Sequence, residues 1–122
     1  MSIAGAHAAA FRREVSTDRQ VWTLLEDDSY IAPHKPDGTR AMPFWSKGSR
    51  AKLVVDQVAA YHGLTIVSFA LEPWLTDLLP WLAEQSVLVG VNWSGERALG
   101  YDVPAQDVLD WFAPPGADAQ HD

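Results

Sequence analysis

Residues 41–63, AMPFWSKGSRAKLVVDQVAAYHG, restrict the fold more than any other stretch, because a period of two changes there into a helical period. Met42 and Phe44 lie on one face of an alternating pattern and Trp45 on the other, which is typical of a strand. Pro43 cannot donate a backbone hydrogen bond. We therefore expect either that this strand is an edge strand or that Pro43 lies at the start of the strand. The segment predicts a strand followed directly by a helix.

The predicted helix has candidate signals at both ends. Ser46 or Ser49 could cap it by accepting from an exposed backbone N–H, and Gly63 could end it in the left-handed conformation. The residues at helical spacing form one buried stripe, which consists of Ala51, Val54, Val55, Val58 and His62.

The remaining chain predicts a mixed α/β or α+β fold. The predicted strands are 20–26, 41–46, 64–70, 87–93 and 98–103, and the predicted helices are 3–15, 46–62, 71–82 and 104–112. The strands at 20–26 and 87–93 are apolar on both faces and are expected in the sheet centre. An Asp37-Gly38 turn favours a wide hairpin between the first two strands, and Pro80 predicts a kink or a new helix start within the third helix. We expect a single twisted sheet of about five strands, mixed or mainly antiparallel, with helices packed on it.

Composition limits the class of protein. A chain of 122 residues is about one domain long, so we expect a globular domain at 1–113 and a disordered acidic tail at 114–122. The absence of cysteine excludes disulfides and thiolate metal sites, and the sequence has no signal peptide pattern and no apolar run long enough for a membrane span. A net charge of −7 disfavours binding to nucleic acid, whose phosphates are also negative. We therefore expect a soluble cytoplasmic protein that binds neither membranes nor nucleic acid.

Several short motifs carry a family resemblance. They are VWTLLEDD at 21–28, DG at 37–38, PFWS at 43–46, SRA at 49–51, the PWL and LPWL segments within 73–82, and VGVNWSG at 89–95. Over roughly residues 20–112 the chain resembles a bacterial family of small proteins catalogued as a domain of unknown function, DUF2750. The order of its elements is also similar to the N-terminal domain of the SseB-type secretion and enhancement proteins. The resemblance implies a fold and supplies no catalytic residues.

A basic cluster at the start of the second predicted helix is the first candidate site. It contains Arg40, Lys47, Arg50 and Lys52, and no acid lies between Gly38 and Val55. The backbone N–H groups of 48–50, the hydroxyls of Ser46 and Ser49 and the nearby cations could bind a phosphate or carboxylate. The alternative is a solvated face whose cations pair with acids such as Asp37, Asp27 or Asp56.

A second candidate lies at the end of the predicted strand 87–93. Asn92 and Trp93 could line a pocket together with Trp45, because ligands of α/β folds often bind at strand ends. The alternative is an Asn that bonds loop backbone beside a core tryptophan.

No pattern predicts catalysis or a cofactor. The histidines at 7, 34, 62 and 121 have no metal-ligand spacing, no nucleophile elbow occurs, and the acidic run at 26–28 does not match a calcium loop. We expect no catalytic residue, metal or cofactor.

Two functional hypotheses are favoured, and an enzyme stays a third possibility. The first is a non-enzymatic cytoplasmic domain that binds another protein or a second copy of itself, favoured by six tryptophans and an acidic surface. The second is a small-molecule or anion-binding module at the helix start. Its site would consist of Trp45, Ser46, Lys47, Ser49, Arg50, Asn92 and Trp93.

Overall fold

The helices and strands are taken from a computed structural model, which describes residues 3–95 and 98–113; the predicted disordered tail at 114–122 lies outside the described residues. The strands are β1 Gln20–Glu26, β2 Ser29–Tyr30, β3 Arg40–Phe44, β4 Thr65–Ala70, β5 Val87–Ser94 and β6 Leu99–Val103. The helices are α1 Ile3–Asp18, α2 Gly48–Gln57, α3, which joins Leu71–Pro73, Trp74–Leu78 and Leu79–Glu84, and α4 Ala105–Trp111. The fold is α+β.

The strands form two three-stranded sheets, so the expectation of a single five-stranded sheet was wrong. One sheet has the order β2-β1-β4 and is antiparallel, and the other has the order β3-β5-β6. In the second sheet β3 runs parallel to β5, whereas β5 and β6 form the predicted antiparallel hairpin. Both strands that were expected in a sheet centre, β1 and β5, are central in their own sheets.

Pro43 explains why the two sheets do not merge. β1 and β3 meet at Trp22 and Trp45, where two backbone hydrogen bonds of 2.9 and 2.8 Å join the strands. Two residues earlier in β3, Pro43 has no N–H to extend that ladder, and its carbonyl accepts a 2.7 Å hydrogen bond from Thr23 Oγ1 instead. The predicted wide hairpin is therefore reduced to one bridge, and β3 is an edge strand as predicted.

The boundaries of α2 differ from the prediction at both ends. Lys47 is the N-cap residue and no side-chain cap bond forms, so neither Ser46 nor Ser49 caps the helix. The helix ends at Gln57, where Val58 is already extended, and a 3₁₀ turn at Ala59–Tyr61 follows. Gly63 has a left-handed φ of +86°, but it follows that turn and does not end the helix. Within the predicted stripe, His62 is exposed.

The predicted irregularity at Pro80 takes the form of a π-helical segment. Residues Trp74–Leu78 are π-helical, and the backbone N–H of Leu79 bonds the carbonyl of Trp74. A proline lacks the N–H that would bond four residues back, and its ring collides with that carbonyl. The wider turn directly before Pro80 relieves the collision without ending α3.

Helices pack on both faces of the sheets. One core cluster joins α1, α3 and α4 to the strands, with Phe11, Trp74 and Val108 fully buried. The other joins α2 to the opposite faces through Leu24, Trp45 and Val54. This double coverage explains why β1 and β5 lack a polar face, since each contributes to both clusters.

Candidate functional site

Four polar side chains converge where β3 ends and α2 begins. Glu14 comes from α1, Ser46 from the β3–α2 connection, Arg50 from α2 and Asn92 from β5. Ser46 is completely buried, and Asn92 is 4% exposed. Buried polar groups must find partners to offset their lost hydration, and these residues find them in one another.

Asn92 holds the backbone that leads into α2. Its Oδ1 accepts a 2.9 Å hydrogen bond from the N–H of Ser46, and its Nδ2 donates to Ser46 Oγ at 3.0 Å. Asn92 has a left-handed φ of +49°, and the register between β5 and β6 shifts at this point. Asparagine tolerates this conformation better than most residues, so it can both form the bulge and direct its amide towards Ser46.

Glu14 joins Ser46 to Arg50. Its Oε1 accepts from Ser46 Oγ at 2.6 Å and from Arg50 Nε at 2.9 Å, and its Oε2 accepts from Arg50 Nη2 at 2.7 Å. The hydrogen bonds from Arg50 are the main cause that lowers the pKa of Glu14 to about 2; the Ser46 hydroxyl and the charges of Arg50 and Lys47 add to this, against an opposing effect of burial. The same pairing raises the pKa of Arg50. The carboxylate of Glu14 thus binds Ser46 and Arg50, two of the residues that the sequence hypothesis assigned to an external anion.

The other residues of the predicted anion site are arranged differently. Lys47 pairs with Asp18 of α1 at 2.6 Å, and Lys52 pairs with Asp56 one turn along α2. Ser49 is exposed on the first turn of α2. It lies outside the group of Glu14, Ser46, Arg50 and Asn92, which we call the Ser46 network. Sequence reasoning missed the α1 acids, although one signal was available: Glu14 and Asp18 are four residues apart and so lie on one helix face opposite a basic cluster.

Trp45 and Trp93 are packed into the interior. Trp45 Nε1 donates to the carbonyl of Trp93 at 2.8 Å, and Trp93 Nε1 donates to Asp102 Oδ1 at 2.8 Å. Lys35 pairs with the other oxygen of Asp102 at 2.9 Å. The Trp93 ring covers Gly90 so closely that a Cβ there would lie 2.5 Å from it. Trp93 borders a cavity of about 250 Å³, but neither Trp45 nor Asn92 lines it.

A larger cleft, of about 600 Å³, lies at the other end of β3, between β2, the start of β3 and the second half of α3. Tyr30 and Trp81 line it with 45% and 52% of their surfaces exposed, and Met42 and Leu82 form part of its apolar wall. We call this the β2–α3 cleft. Sequence analysis missed this cleft, although one signal was available: Trp81 falls outside the apolar stripe of its helix, which consists of Leu71, Trp74, Leu75, Leu78, Leu79 and Leu82.

Arg40 supplies a cation to the β2–α3 cleft. Its Nε donates to the carbonyl of Ala32 at 3.0 Å, which fixes the guanidinium at the cleft wall. Within residues 3–95 and 98–113 no carboxylate lies within ion-pair distance of Arg40, and Asp28, which also lines the cleft, does not pair with it. Of the predicted basic cluster, Arg40 therefore faces a cavity, whereas Lys47, Arg50 and Lys52 pair with acids.

The described part of the chain contains no group of three or more histidine or acidic side chains arranged to hold a metal ion. None of its helices combines the length and apolar character required to cross a membrane.

Comparison with known proteins identified one family. The family model described as "Protein of unknown function (DUF2750)" matches residues 8–111, a range that contains both the Ser46 network and the β2–α3 cleft. No curated protein and no solved structure matches the chain.

Proposed function

We propose a function from site geometry, starting from the finding that the chain belongs to the DUF2750 family of proteins of unknown function. We propose that the protein is a non-enzymatic cytoplasmic domain that binds a segment of a partner protein in the β2–α3 cleft. The segment would place an apolar side chain between Tyr30 and Trp81 and a carboxylate on Arg40.

The observation that carries the proposal is the composition of the cleft wall. Three large apolar side chains are exposed among the described residues: Tyr30, Leu53 and Trp81. Two of them, Tyr30 and Trp81, line the same cleft. Arg40 stands beside them, and no acid within residues 3–95 and 98–113 pairs with it. Tryptophan, tyrosine and arginine are the residues in which the binding energy of protein interfaces is concentrated, so their convergence favours a protein-binding site.

The size and charge of the cleft indicate what would bind. A volume of about 600 Å³ is within the range of pockets that enclose a small ligand or a few side chains. A guanidinium held at the wall can form a two-bond contact with a carboxylate, which is stronger than a contact between neutral groups. A short segment with one carboxylate and one large apolar residue satisfies both features.

The geometry supports the alternative, an anion-binding module at the start of α2, less well. Ser46 and Arg50 already share the carboxylate of Glu14, and Lys47 already pairs with Asp18. An external anion would have to displace two internal acids and leave their charges without partners, which is costly for a partly buried group such as Glu14.

Affinity capture with matched variants tests the proposal. The tagged parent chain, Trp81→Ala, Arg40→Ala and Leu53→Ala are used to capture partners from a native lysate. Leu53 is 54% exposed on α2, so it controls for the loss of an exposed apolar side chain away from the cleft. We expect Leu53→Ala to retain the parent's specific partner, and Trp81→Ala and Arg40→Ala to lose it.

A synthetic peptide from the captured protein then provides the quantitative test. Its dissociation constant should rise by about thirtyfold with Trp81→Ala, the size of a hot-spot effect, and by a similar factor when its carboxylate is replaced by an amide in the parent complex. The carboxylate-to-amide change should have little further effect on Arg40→Ala. Equal losses for Trp81→Ala and Leu53→Ala would contradict the proposal.

A further inference from the structure

The outer edge of β4 has no strand beside it in the described part of the chain. β4 pairs with β1 on one side only and ends the order β2-β1-β4. This edge lies across the sheet from β2, whereas the β2–α3 cleft adjoins β2. A partner on β4 would therefore use a different surface from the one proposed above.

The hydrogen bonds of β1 reveal which groups of β4 face outwards. Trp22 directs its N–H and C=O towards Trp45, and Leu24 directs its C=O towards Ile31, so both point away from β4. Because these groups alternate along an antiparallel strand, the neighbours of Trp22 and Leu24 bond β4. Their register partners, Thr65, Val67 and Phe69, thus point inwards. The backbone groups of Ile66, Ser68 and Ala70 point outwards.

β4 also lacks the features that protect an edge strand from association. It is six residues long, and the segment 63–71 contains no charged residue and no proline. By contrast, β2 has two residues, β3 contains Arg40 and Pro43, and β6 contains Asp102. A long, uncharged edge of β-branched and aromatic residues is a surface on which another strand adds.

The side chains of β4 suit a close neighbour. Ile66, Val67 and Phe69 are only partly buried, and Thr65, Ser68 and Ala70 are exposed. None of them carries a charge, so an added strand would not have to desolvate a charged group. The edge therefore offers unpaired backbone and incompletely covered apolar surface together.

We propose that β4 pairs antiparallel with β4 of a second copy of this chain, which joins two three-stranded sheets into one of six strands. Charge and symmetry favour a second copy of the chain as the partner of β4. Two chains of net charge −7 repel each other, and a charge-free segment lets them approach without placing like charges in contact. A twofold axis brings outward groups opposite outward groups when it passes through Ser68 or Val67, so the edge is complementary to itself.

Sedimentation equilibrium on matched lysine variants tests this dimer. Ser68→Lys places a charge on the free edge at an exposed position, whereas Ser29→Lys makes the same change at an exposed position of β2, on the opposite edge. We expect the parent and Ser29→Lys to dimerise alike. Ser68→Lys should raise the dissociation constant at least about tenfold, which corresponds to about 1.4 kcal/mol.

Disulfide trapping gives an independent readout, because the chain has no cysteine of its own. Two cysteines directly opposite each other in paired strands lie within disulfide distance. Oxidised Ser68→Cys or Val67→Cys should give a covalent dimer, and Ser29→Cys should not. A parent that is monomeric at all concentrations, or a dimer that neither Ser68→Lys weakens nor these cysteines trap, would overturn the proposal.

Discussion

Glu14 and Arg50 form a two-bond ion pair across 36 residues of sequence, with N–O distances of 2.9 and 2.7 Å. The pair joins α1 to the first turn of α2, and Ser46 Oγ donates to the same carboxylate. It fixes the position of α1 over the end of β3.

Acid should remove the contribution of Glu14 to stability. The pKa of Glu14 is lowered from 4.5 to about 2 by its partners, so the charged form stabilises the folded state above pH 4.5. This stabilisation is lost as the pH falls from about 4.5 to 2, and it amounts to about 2 to 3 kcal/mol. Glu14→Gln should therefore be less stable than the parent in urea unfolding at pH 7, and the difference should shrink towards pH 2. Asp18→Asn, which breaks the more exposed pair with Lys47, should cost less than about 1 kcal/mol at pH 7.

Asn92→Ala should destabilise the protein more than Asn92→Gly. Both variants remove the two hydrogen bonds to Ser46, which costs about 1 to 3 kcal/mol for buried groups. Alanine must also adopt the left-handed conformation of Asn92, at a further cost of about 1 kcal/mol, whereas glycine adopts it freely. Urea unfolding of the two variants measures the difference. The reverse order, which is usual in a regular strand, would contradict the left-handed bulge.

Gly90→Ala and Gly48→Ala should have different effects. At Gly90 a Cβ would lie 2.5 Å from the ring of Trp93, which Asp102 and tight packing hold in place, so we expect a loss of about 2 to 3 kcal/mol. At Gly48 the nearest atoms are in the Trp22 ring at 3.4 Å, and alanine is the better residue in a helix. Gly48→Ala should leave the melting temperature unchanged or raise it. Similar losses for both variants in thermal unfolding would contradict this account.

Trp45→Phe should cost more stability than Trp74→Phe. Both tryptophans are fully buried, so both variants lose the same volume. Trp45 Nε1 donates to the carbonyl of Trp93, whereas Trp74 Nε1 has no partner among the described residues. Removing a bonded N–H leaves a buried acceptor unsatisfied, and removing an unpaired one relieves a penalty. We expect a difference of about 1 to 2 kcal/mol in urea unfolding; equal costs would indicate that Trp74 is also bonded.

The elements of the fold were predictable to different degrees. A helix at 3–15 was predicted, but its role was not: Phe11 and Val15 are fully buried, and Glu14 accepts a hydrogen bond from Ser46. The helix after β3 was predicted with incorrect ends, because Ser46 uses its hydroxyl for Glu14 and not for a cap. Arg40 was predicted as part of a basic cluster, and Trp81 is one of the six tryptophans, but nothing in the sequence indicated that these two residues share a cleft.

Most of the local structure was predictable from the sequence: every strand except β2, the four helices, the edge position of the strand that contains Pro43, and the burial of both faces of β1 and β5. These properties follow from side-chain periodicity and from missing backbone donors, which act over a few residues. The pairing of β3 with β5, the division into two sheets and the acidic partners of Lys47 and Arg50 emerged only in the tertiary structure. Those outcomes depend on contacts between segments 20 to 50 residues apart, such as Thr23 with Pro43 and Ser46 with Asn92, for which local periodicity carries no information.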